Sequence, residues 1–326
     1  MTTYEETLLK AVNENSNIIV MTAENRAFLR NVIPHIQDRF IDVGICEQNM
    51  FGIAGGLAIR GKTVITHALA MFLVFRPYEF IRTLISFPKR DVKIVGAFPG
   101  ILSEANGYTH QAIEDIALMR LLPNMVVISP ACSEEMGHVL KLALTLSVPV
   151  YIRFNHISSY NLGEDFLPHE AVNEKDIKKT KKVNSLLKPG LFEIKVGKYQ
   201  VLREGCDLCL ITHGILTRNV LIAAEMLARN GIFATVIYAA VVLPVDSETI
   251  IQMSKKSKII VIVEDHVRSG GLNDEINDVL IKAGITKKVI HIGISKLGFQ
   301  PALLKDILLY EKLDPVSISE EIEANL

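Results

Sequence analysis

The chain has 326 residues, of which 49% are hydrophobic and 22% charged, and its formal net charge is -1 at pH 7. That composition supports a large core and argues against disorder; the length predicts about two domains, and the near-neutral charge gives no reason to expect nucleic acid as a partner. The first residues are polar and acidic, unlike a signal peptide, and no apolar run reaches the roughly 20 residues of a membrane helix. The four cysteines are too sparse for a disulfide framework, so we expect a cytoplasmic protein with no membrane partner.

The first half of the chain alternates strand-like runs with helical patterns. Each strand is a short, nearly uninterrupted apolar run, which is typical of a parallel sheet covered by helices on both faces. The predicted strands cover residues 17–22, 39–41, 62–67, 92–96, 125–130 and 148–153, and the predicted helices cover 4–14, 51–60, 71–86, 112–121 and 133–146. A Gly- and Asn-containing loop is expected at 100–111.

The alternation stops between residues 157 and 190 and then resumes. That stretch is interpreted as a linker or surface excursion, and its lysine cluster at 175–182 fits a solvated face better than an anion site. The later strands are predicted at 208–212, 234–238, 259–263 and 289–293, with helices at 216–230, 246–253 and 272–283. The sequence therefore predicts an α/β protein with two doubly wound parallel-sheet domains, residues 1–156 and 191–326.

One stretch, residues 42–50, connects a predicted strand to a helix rich in small residues. Glu47 lies at that transition in an apolar, Gly-rich setting. A carboxyl loses hydration there, so its neutral form is favoured over its charged form. Such a group suits proton transfer, although on the pattern alone a glutamate favoured by the helix dipole is the preferred interpretation. Ligands of these sheets bind at the carboxyl ends of strands. The candidate site residues in the first domain are therefore Glu47, His67, His110 and Arg153.

Two further motifs have ordinary explanations. Cys206 and Cys209 have CxxC spacing but no second Cys or His pair nearby, so metal or redox chemistry is not expected there. Gly270 and Gly271 open a helix and could cradle an anion, but a close-packed helix cap is the preferred interpretation.

Several of these stretches, in order and at the right spacing, resemble the C-terminal half of transketolase, as in split transketolases made of two chains. The motifs are residues 43–50 (VGICEQNM), 107–111 (GYTHQ), 114–120 (EDIALMR), 123–130 (PNMVVISP), 264–266 (EDH) and 269–272 (SGGL). The likeness covers nearly all of the chain outside 157–190. It implies a pyrimidine-binding domain followed by a transketolase C-terminal domain, and thiamine diphosphate as the cofactor.

The resemblance also implies roles for individual residues. Glu47 matches the glutamate that protonates the pyrimidine nitrogen N1′ of the cofactor, and a neutral carboxyl suits that hydrogen bond. Phe72, aligned on the arginine at 76, takes the place of the aromatic ring that stacks on the pyrimidine. His110 matches a histidine near the sugar oxygens and the reacting carbonyl, where it would shuttle protons or stabilise an oxyanion.

The substrate side is expected to involve Arg153, Asn106, His67 and Phe98. Arg153 matches the phosphate-binding arginine of the family, and a guanidinium fits an anionic oxygen pair. Asn106 stands where transketolases have a sugar-binding aspartate, and Phe98 where classical members have a histidine. The altered wall predicts a modified sugar as donor or acceptor.

One motif of the family is missing from the sequence. There is no Gly-Asp-Gly followed about 25–30 residues later by Asn, the segment that in this family binds magnesium and the diphosphate. The expectation is that a separate N-terminal-half subunit supplies Mg²⁺ ligands, and that two copies of each chain assemble through a homodimer contact of this one.

Three functions remain open at this point. The first is the C-terminal subunit of a two-chain transketolase that transfers a two-carbon ketol unit between sugars. The second is a beta subunit of a 2-oxo acid dehydrogenase-type enzyme or a deoxyxylulose phosphate synthase-like protein. The third is a non-catalytic assembly subunit, against which the joint retention of Glu47, Phe72, His110 and Arg153 argues.

Overall fold

The computed structural model describes residues 3–158, 193–294 and 301–326. Its strands are β1 Ile18–Thr22, β2 Phe40–Asp42, β3 Thr63–Leu69, β4 Val92–Ala97, β5 Val126–Ile128, β6 Val150–Phe154, β7 Gln200–Arg203, β8 Leu208–Thr212, β9 Ala234–Tyr238, β10 Val241–Leu243, β11 Ile259–Val267 and β12 Lys288–Ile294. The helices are Tyr4–Glu14, Glu47–Ile59, Ala70–Phe75, Tyr78–Phe80, Asp115–Arg120, Met136–Leu144, Leu216–Arg229, Ser247–Lys256, Leu272–Lys282, Leu304–Tyr310 and Pro315–Glu323, with a π-helical segment at Ile81–Ser86.

The strands form two sheets, one for each half of the chain. The first has the order β10-β5-β6-β4-β3-β1-β2 and the second the order β12-β11-β8-β9-β7. Parallel neighbours that are not consecutive in the chain, such as β1 with β3 and β4 with β6, give the doubly wound arrangement predicted from the sequence, which is thereby confirmed. Each sheet also carries one antiparallel edge strand, β10 and β7, which the sequence analysis did not predict.

Alternate residues of the strands enter cores on opposite faces of the sheet. In β3, Ile65 is buried in one core together with Tyr4 and Phe154, whereas Val64 is buried in the other together with Met50 and Phe51. This two-sided burial explains why the strands read as continuous apolar runs. The first core lies under helix Tyr4–Glu14 and the second under helix Glu47–Ile59. Predicted site residues that point into different cores are therefore on opposite faces of the sheet.

The predicted single helix 71–86 is interrupted. Pro77 follows helix Ala70–Phe75 and precedes Tyr78–Phe80 and the π-helical Ile81–Ser86. Proline lacks a backbone donor and its ring opposes a continuous helix, so it produces this break.

Strand β10 ties the two halves of the chain together. It belongs to the second half in sequence, yet Val241 pairs with Ile128 of β5 at the edge of the first sheet. Next to it, Ser129 donates its backbone N–H to the carbonyl of Ala240 at 2.7 Å. The two halves are therefore joined by backbone pairing within one sheet, and not only by contacts between side chains.

Most of the predicted linker 157–190, with its lysine cluster at 175–182, lies outside the described residues. No helix within the described ranges is both long enough and apolar enough to cross a membrane.

Candidate functional site

Glu47 is the first residue of helix Glu47–Ile59, directly after the turn that follows β2. The turn is held by Asp42, whose carboxylate accepts the backbone N–H of Gly44 at 2.9 Å. Glu47 is only 3% exposed. Its two carboxylate oxygens accept hydrogen bonds from Nη1 of Arg76, at 2.8 and 3.1 Å. The expected position at a strand-to-helix transition is confirmed, but the surroundings include a cation as well as apolar groups.

Phe72 and His110 complete a contiguous cluster with that ion pair. The guanidinium carbon of Arg76 lies 3.8 Å from the centroid of the Phe72 ring. Phe72 also contacts the imidazole of His110, with ring centroids 5.0 Å apart and the planes at 68°. Arg76 and Phe72 are four residues apart at the end of one helix and so share a face. We name Glu47, Arg76, Phe72 and His110 the Glu47 cluster.

The loop that carries His110 is shaped by Gly107 and by short turns. Gly107 has φ +69°, a conformation that favours glycine, and it begins the turn that closes on the backbone N–H of His110 at 3.0 Å. His110 Nδ1 is 2.8 Å from the hydroxyl of Thr109, which orients the ring. Asn106 is exposed in the same loop, and its amide donates to the carbonyl of Ser103 at 3.1 Å.

His67 and Phe98, both predicted to face the substrate, lie on the other side of the sheet. The ring nitrogens of His67 contact the hydroxyl of Tyr4 at 2.7 Å and the carbonyl of Met21 at 3.2 Å. Burial lowers the pKa of His67 to about 4, so the ring is neutral at pH 7. Phe98 packs against Phe28 and His156, at centroid distances of 5.4 and 4.7 Å. The structure does not bring these two residues to the Glu47 cluster.

Arg153 is buried between the two halves of the chain. It is 2% exposed, and its Nε donates to Asp115 at 2.9 Å while Nη1 and Nη2 donate to the carboxylate of Asp265 at 2.8 and 3.1 Å. Nη1 is also 3.3 Å from the hydroxyl of Ser129. Burial acts to lower the pKa of Arg153, but the two carboxylates outweigh it and raise the pKa above its usual value. All three nitrogens of the Arg153 guanidinium donate to groups inside the protein. The geometry therefore does not support Arg153 as a phosphate ligand.

The Gly270–Gly271 turn is a helix cap with an internal anion. The carboxylate of Glu264 accepts the backbone N–H groups of Leu272 and Asn273, at 2.7 and 3.1 Å, at the start of helix Leu272–Lys282. Burial alone would raise the pKa of Glu264, but the neighbouring imidazoles of His213 and His291, with ring nitrogens 3.8 and 2.9 Å from the carboxylate, lower it well below its usual range. The helix terminus already holds a carboxylate, which favours the capping interpretation over an external anion.

Arg76 and Asp265 are the functional candidates that sequence reasoning missed. In the sequence, Arg76 is a reference position for the alignment that identifies Phe72. Its spacing of four from Phe72 also predicts that the two side chains share a helix face. Asp265 lies 112 positions from Arg153, and no local pattern links the two.

The Glu47 cluster fits the pyrimidine half of thiamine diphosphate. A buried carboxylate and an aromatic face 3.8 Å from a planar group are the two contacts that a flat nitrogen heterocycle needs. Among the described residues, histidine, cysteine, aspartate and glutamate side chains form no group of three or more positioned to hold a metal ion. The four cysteines are free, with Cys206 exposed and Cys209 buried.

The chain matches two family models in succession. Residues 1–159 match the transketolase pyrimidine-binding domain and residues 197–318 match the transketolase C-terminal domain. A putative transketolase C-terminal section of Methanocaldococcus jannaschii is 34% identical over 322 residues, 98% of this chain and 93% of that protein. A subunit of a 6-deoxy-6-sulfo-D-fructose transketolase from Clostridium sp. (strain MSTE9) is 31% identical over 272 residues, 83% of this chain and 77% of that one.

Two more comparisons extend this likeness. The 1-deoxy-D-xylulose-5-phosphate synthase of Desulfitobacterium hafniense is 29% identical over 91% of this chain, which spans only 43% of that protein. Among solved structures, a split gene transketolase described as an inactive beta4 tetramer superposes with a TM-score of 0.79 at 29% identity. The match covers 98% of this chain and 95% of the other.

Proposed function

Because the chain belongs to the transketolase family, we propose that it is the C-terminal-half subunit of a thiamine diphosphate-dependent two-chain transketolase. In this proposal it takes part in moving a two-carbon ketol unit between sugars. The observation that carries the proposal is the Glu47 cluster, in which a buried carboxylate, an aromatic face and a histidine lie in continuous contact. A decayed, non-catalytic assembly subunit would have no reason to keep that arrangement.

Three residues of the cluster, Glu47, Phe72 and His110, have a task in the proposed reaction. Bound thiamine diphosphate supplies a nucleophilic carbon able to add to, and then release, the carbonyl carbon of a ketose. Glu47 holds a proton at the pyrimidine nitrogen N1′, and Phe72 orients the ring through its face. His110, oriented by Thr109, donates to the oxygen of the reacting carbonyl, where negative charge develops.

A separate N-terminal-half chain completes the site in this proposal. It supplies the Mg²⁺ and diphosphate ligands that the sequence of this chain does not contain. The relatives named as a transketolase subunit and as a C-terminal section support this division. The free cysteines fit a reducing, cytoplasmic location.

Two copies of each chain are proposed to assemble, with a contact between copies of this one. Helix Glu47–Ile59 has an inner and an outer small-residue face. Gly55 points inward, because a Cβ there would lie 3.1 Å from Cβ of Leu84, whereas Gly52 and Gly56 face open space. The beta4 tetramer described for the similar split transketolase supports self-association of such chains. The contact between copies is therefore proposed at the Gly52–Gly56 face of the helix and not at Gly55.

A modified sugar remains the proposed donor or acceptor, now for a different reason. The position of Phe98 in the other core removes this residue from the altered sugar wall and leaves Asn106 as the remaining change. Support comes instead from the relative that is named for a 6-deoxy-6-sulfo-D-fructose substrate. The anionic group of the substrate has no assigned partner in this chain, since Arg153 is saturated by Asp115 and Asp265.

A second candidate is a deoxyxylulose phosphate synthase-like activity, favoured by the 29% identity to an enzyme of that name. The two candidates differ in their products. Transketolase chemistry transfers a ketol unit without gas release, whereas the synthase-type reaction releases carbon dioxide from pyruvate.

The test is reconstitution with the N-terminal-half chain, Mg²⁺ and thiamine diphosphate, followed by both assays. The wild-type complex should transfer a ketol unit, and Glu47→Gln should lower kcat by about 100- to 10,000-fold, the usual effect of losing one acid-base group. Deuterium exchange at the reactive carbon of the cofactor is the direct probe. An unchanged exchange rate in Glu47→Gln would remove Glu47 from the mechanism, and carbon dioxide release without ketol transfer would select the second candidate.

A further inference from the structure

Arg76 makes the two contacts that the proposed function assigns to the cofactor. Its Nη1 donates to both carboxylate oxygens of Glu47, at 2.8 and 3.1 Å. Its guanidinium plane covers the ring of Phe72, with the central carbon 3.8 Å from the ring centroid. A pyrimidine that hydrogen-bonds to Glu47 and stacks on Phe72 needs the same space.

We propose that Arg76 is a placeholder: its guanidinium fills the pyrimidine position of this chain and swings away when the cofactor's ring enters. This inference rests on the proposed function and adds a competition between a side chain and the cofactor. It makes Arg76 a residue that sets cofactor affinity and not one that holds the cofactor.

The chemistry of the guanidinium suits this task. It is planar, carries its charge over the whole group and stacks on aromatic faces, so it mimics a protonated heterocycle. A buried carboxylate left without a partner is strongly destabilising, and Arg76 prevents that state at Glu47. The pairing also satisfies Glu47 before any partner chain is bound.

The exposure of the two partners shows how the exchange can occur. The side chain of Glu47 is 3% exposed and fixed at the start of its helix, whereas the side chain of Arg76 is 40% exposed. Arg76 can therefore move into solvent along its open side, while Glu47 stays in place. Phe72 is half-buried, and its edge-to-face contact with His110 does not involve Arg76.

The experiment measures binding of the pyrimidine half alone, 4-amino-5-hydroxymethyl-2-methylpyrimidine, to the full chain by ligand-observed NMR titration. This probe carries no diphosphate, so neither metal nor partner chain is needed. Arg76→Met should tighten binding about tenfold, a modest gain because the displaced ion pair is partly solvent-exposed. Arg76→Lys, which keeps the charge but not the planar group, should fall between Arg76→Met and wild type.

The matched control is Arg82→Met. Arg82 also stacks on an aromatic ring, with its guanidinium carbon 4.7 Å from the centroid of Phe87, but it does not touch the Glu47 cluster. Its removal should leave probe affinity unchanged. Raising the salt concentration should strengthen probe binding to wild type by screening the Arg76–Glu47 pair, and should have no such effect on Arg76→Met.

Weaker binding in Arg76→Met, or binding to none of the variants, would overturn the placeholder role. Such a result leaves the proposed function standing if the reconstituted complex transfers a ketol unit and Glu47→Gln abolishes the transfer. Absence of transfer in the complex, with the Arg76→Met effect present, would instead reject the proposed function and keep the competition at Glu47.

Discussion

Removing the carboxylate of Asp265 should destabilise the protein far more than an ordinary surface change. Asp265 is 1% exposed and accepts two of the donors of Arg153, at 2.8 and 3.1 Å. In Asp265→Ala the guanidinium keeps Asp115, Ser129 and, at 3.5 Å, the backbone carbonyl of residue 265 as partners in a buried site. Breaking a buried ion pair from one side costs about 3–5 kcal/mol, and here Nη1 and Nη2 lose their charged acceptor in a site that water does not reach.

The assay is urea unfolding followed by far-UV circular dichroism, since the chain contains no Trp to report by fluorescence. The free energy of unfolding of Asp265→Ala should fall by about 3–5 kcal/mol relative to wild type. Lys198→Ala is the matched control: it breaks a 2.7 Å ion pair with Glu248 in which both side chains are more than half exposed. That change should leave the urea midpoint close to the wild-type value, because solvent screens an exposed ion pair.

A small effect would refute the reasoning. If Asp265→Ala lost less than about 1 kcal/mol, Arg153 would not depend on its buried partners. If Arg153→Met in the two-chain complex then raised KM for a phosphorylated sugar at unchanged stability, the substrate role predicted from the sequence would be restored.

Two further predictions concern packing and pH. Gly55→Leu should lower the free energy of unfolding by about 1–3 kcal/mol, because its Cβ meets Leu84 at 3.1 Å; Gly56→Leu, with nothing within 4 Å, should leave unfolding unchanged and weaken self-association measured by light scattering. Burial raises the pKa of Glu135 from 4.5 to about 7, despite its hydrogen bond with Tyr238, so the folded protein holds a proton that the unfolded chain has lost. Stability should therefore fall by up to about 3 kcal/mol as pH rises from 4.5 to about 7, and Glu135→Gln should flatten that slope in urea titrations at several pH values.

Much of the fold could be predicted because the strands are buried on both faces. The bounds expected for β8 and β9, and for helix Tyr4–Glu14, agree with the structure residue for residue. The helix is bounded by a reciprocal cap in which Thr3 and Glu6 satisfy each other's backbone N–H groups. Such signals are local and strong. The edge strand β10 spans only three residues and pairs with a strand more than a hundred positions earlier. No local sequence pattern predicts such a strand.

The site shows the same division between local and distant information. Glu47 and Phe72 could be identified from short motifs, and the structure places both in one cluster. Arg153 could not be assigned from its own surroundings, because what determines its role are two carboxylates 38 and 112 positions away. His67 likewise lies at the correct edge of a strand but on the opposite face from Glu47, and only the pairing with Tyr4 reveals this.

The buried ion pairs give the second half of the chain a part in the site although it contributes no residue to the Glu47 cluster. The loop that ends at His110 begins at Gly100, where a Cβ would collide with the carboxylate of Asp265, so the backbone rests directly on the Arg153–Asp265 pair. Further along the loop, a Cβ at Gly107 would lie 3.0 Å from the ring of Pro301. Both Asp265 and Pro301 belong to the second half. The position of His110 against Phe72 therefore depends on how the two halves are packed, and a change that loosens the buried pairs should displace the histidine as well as destabilise the fold.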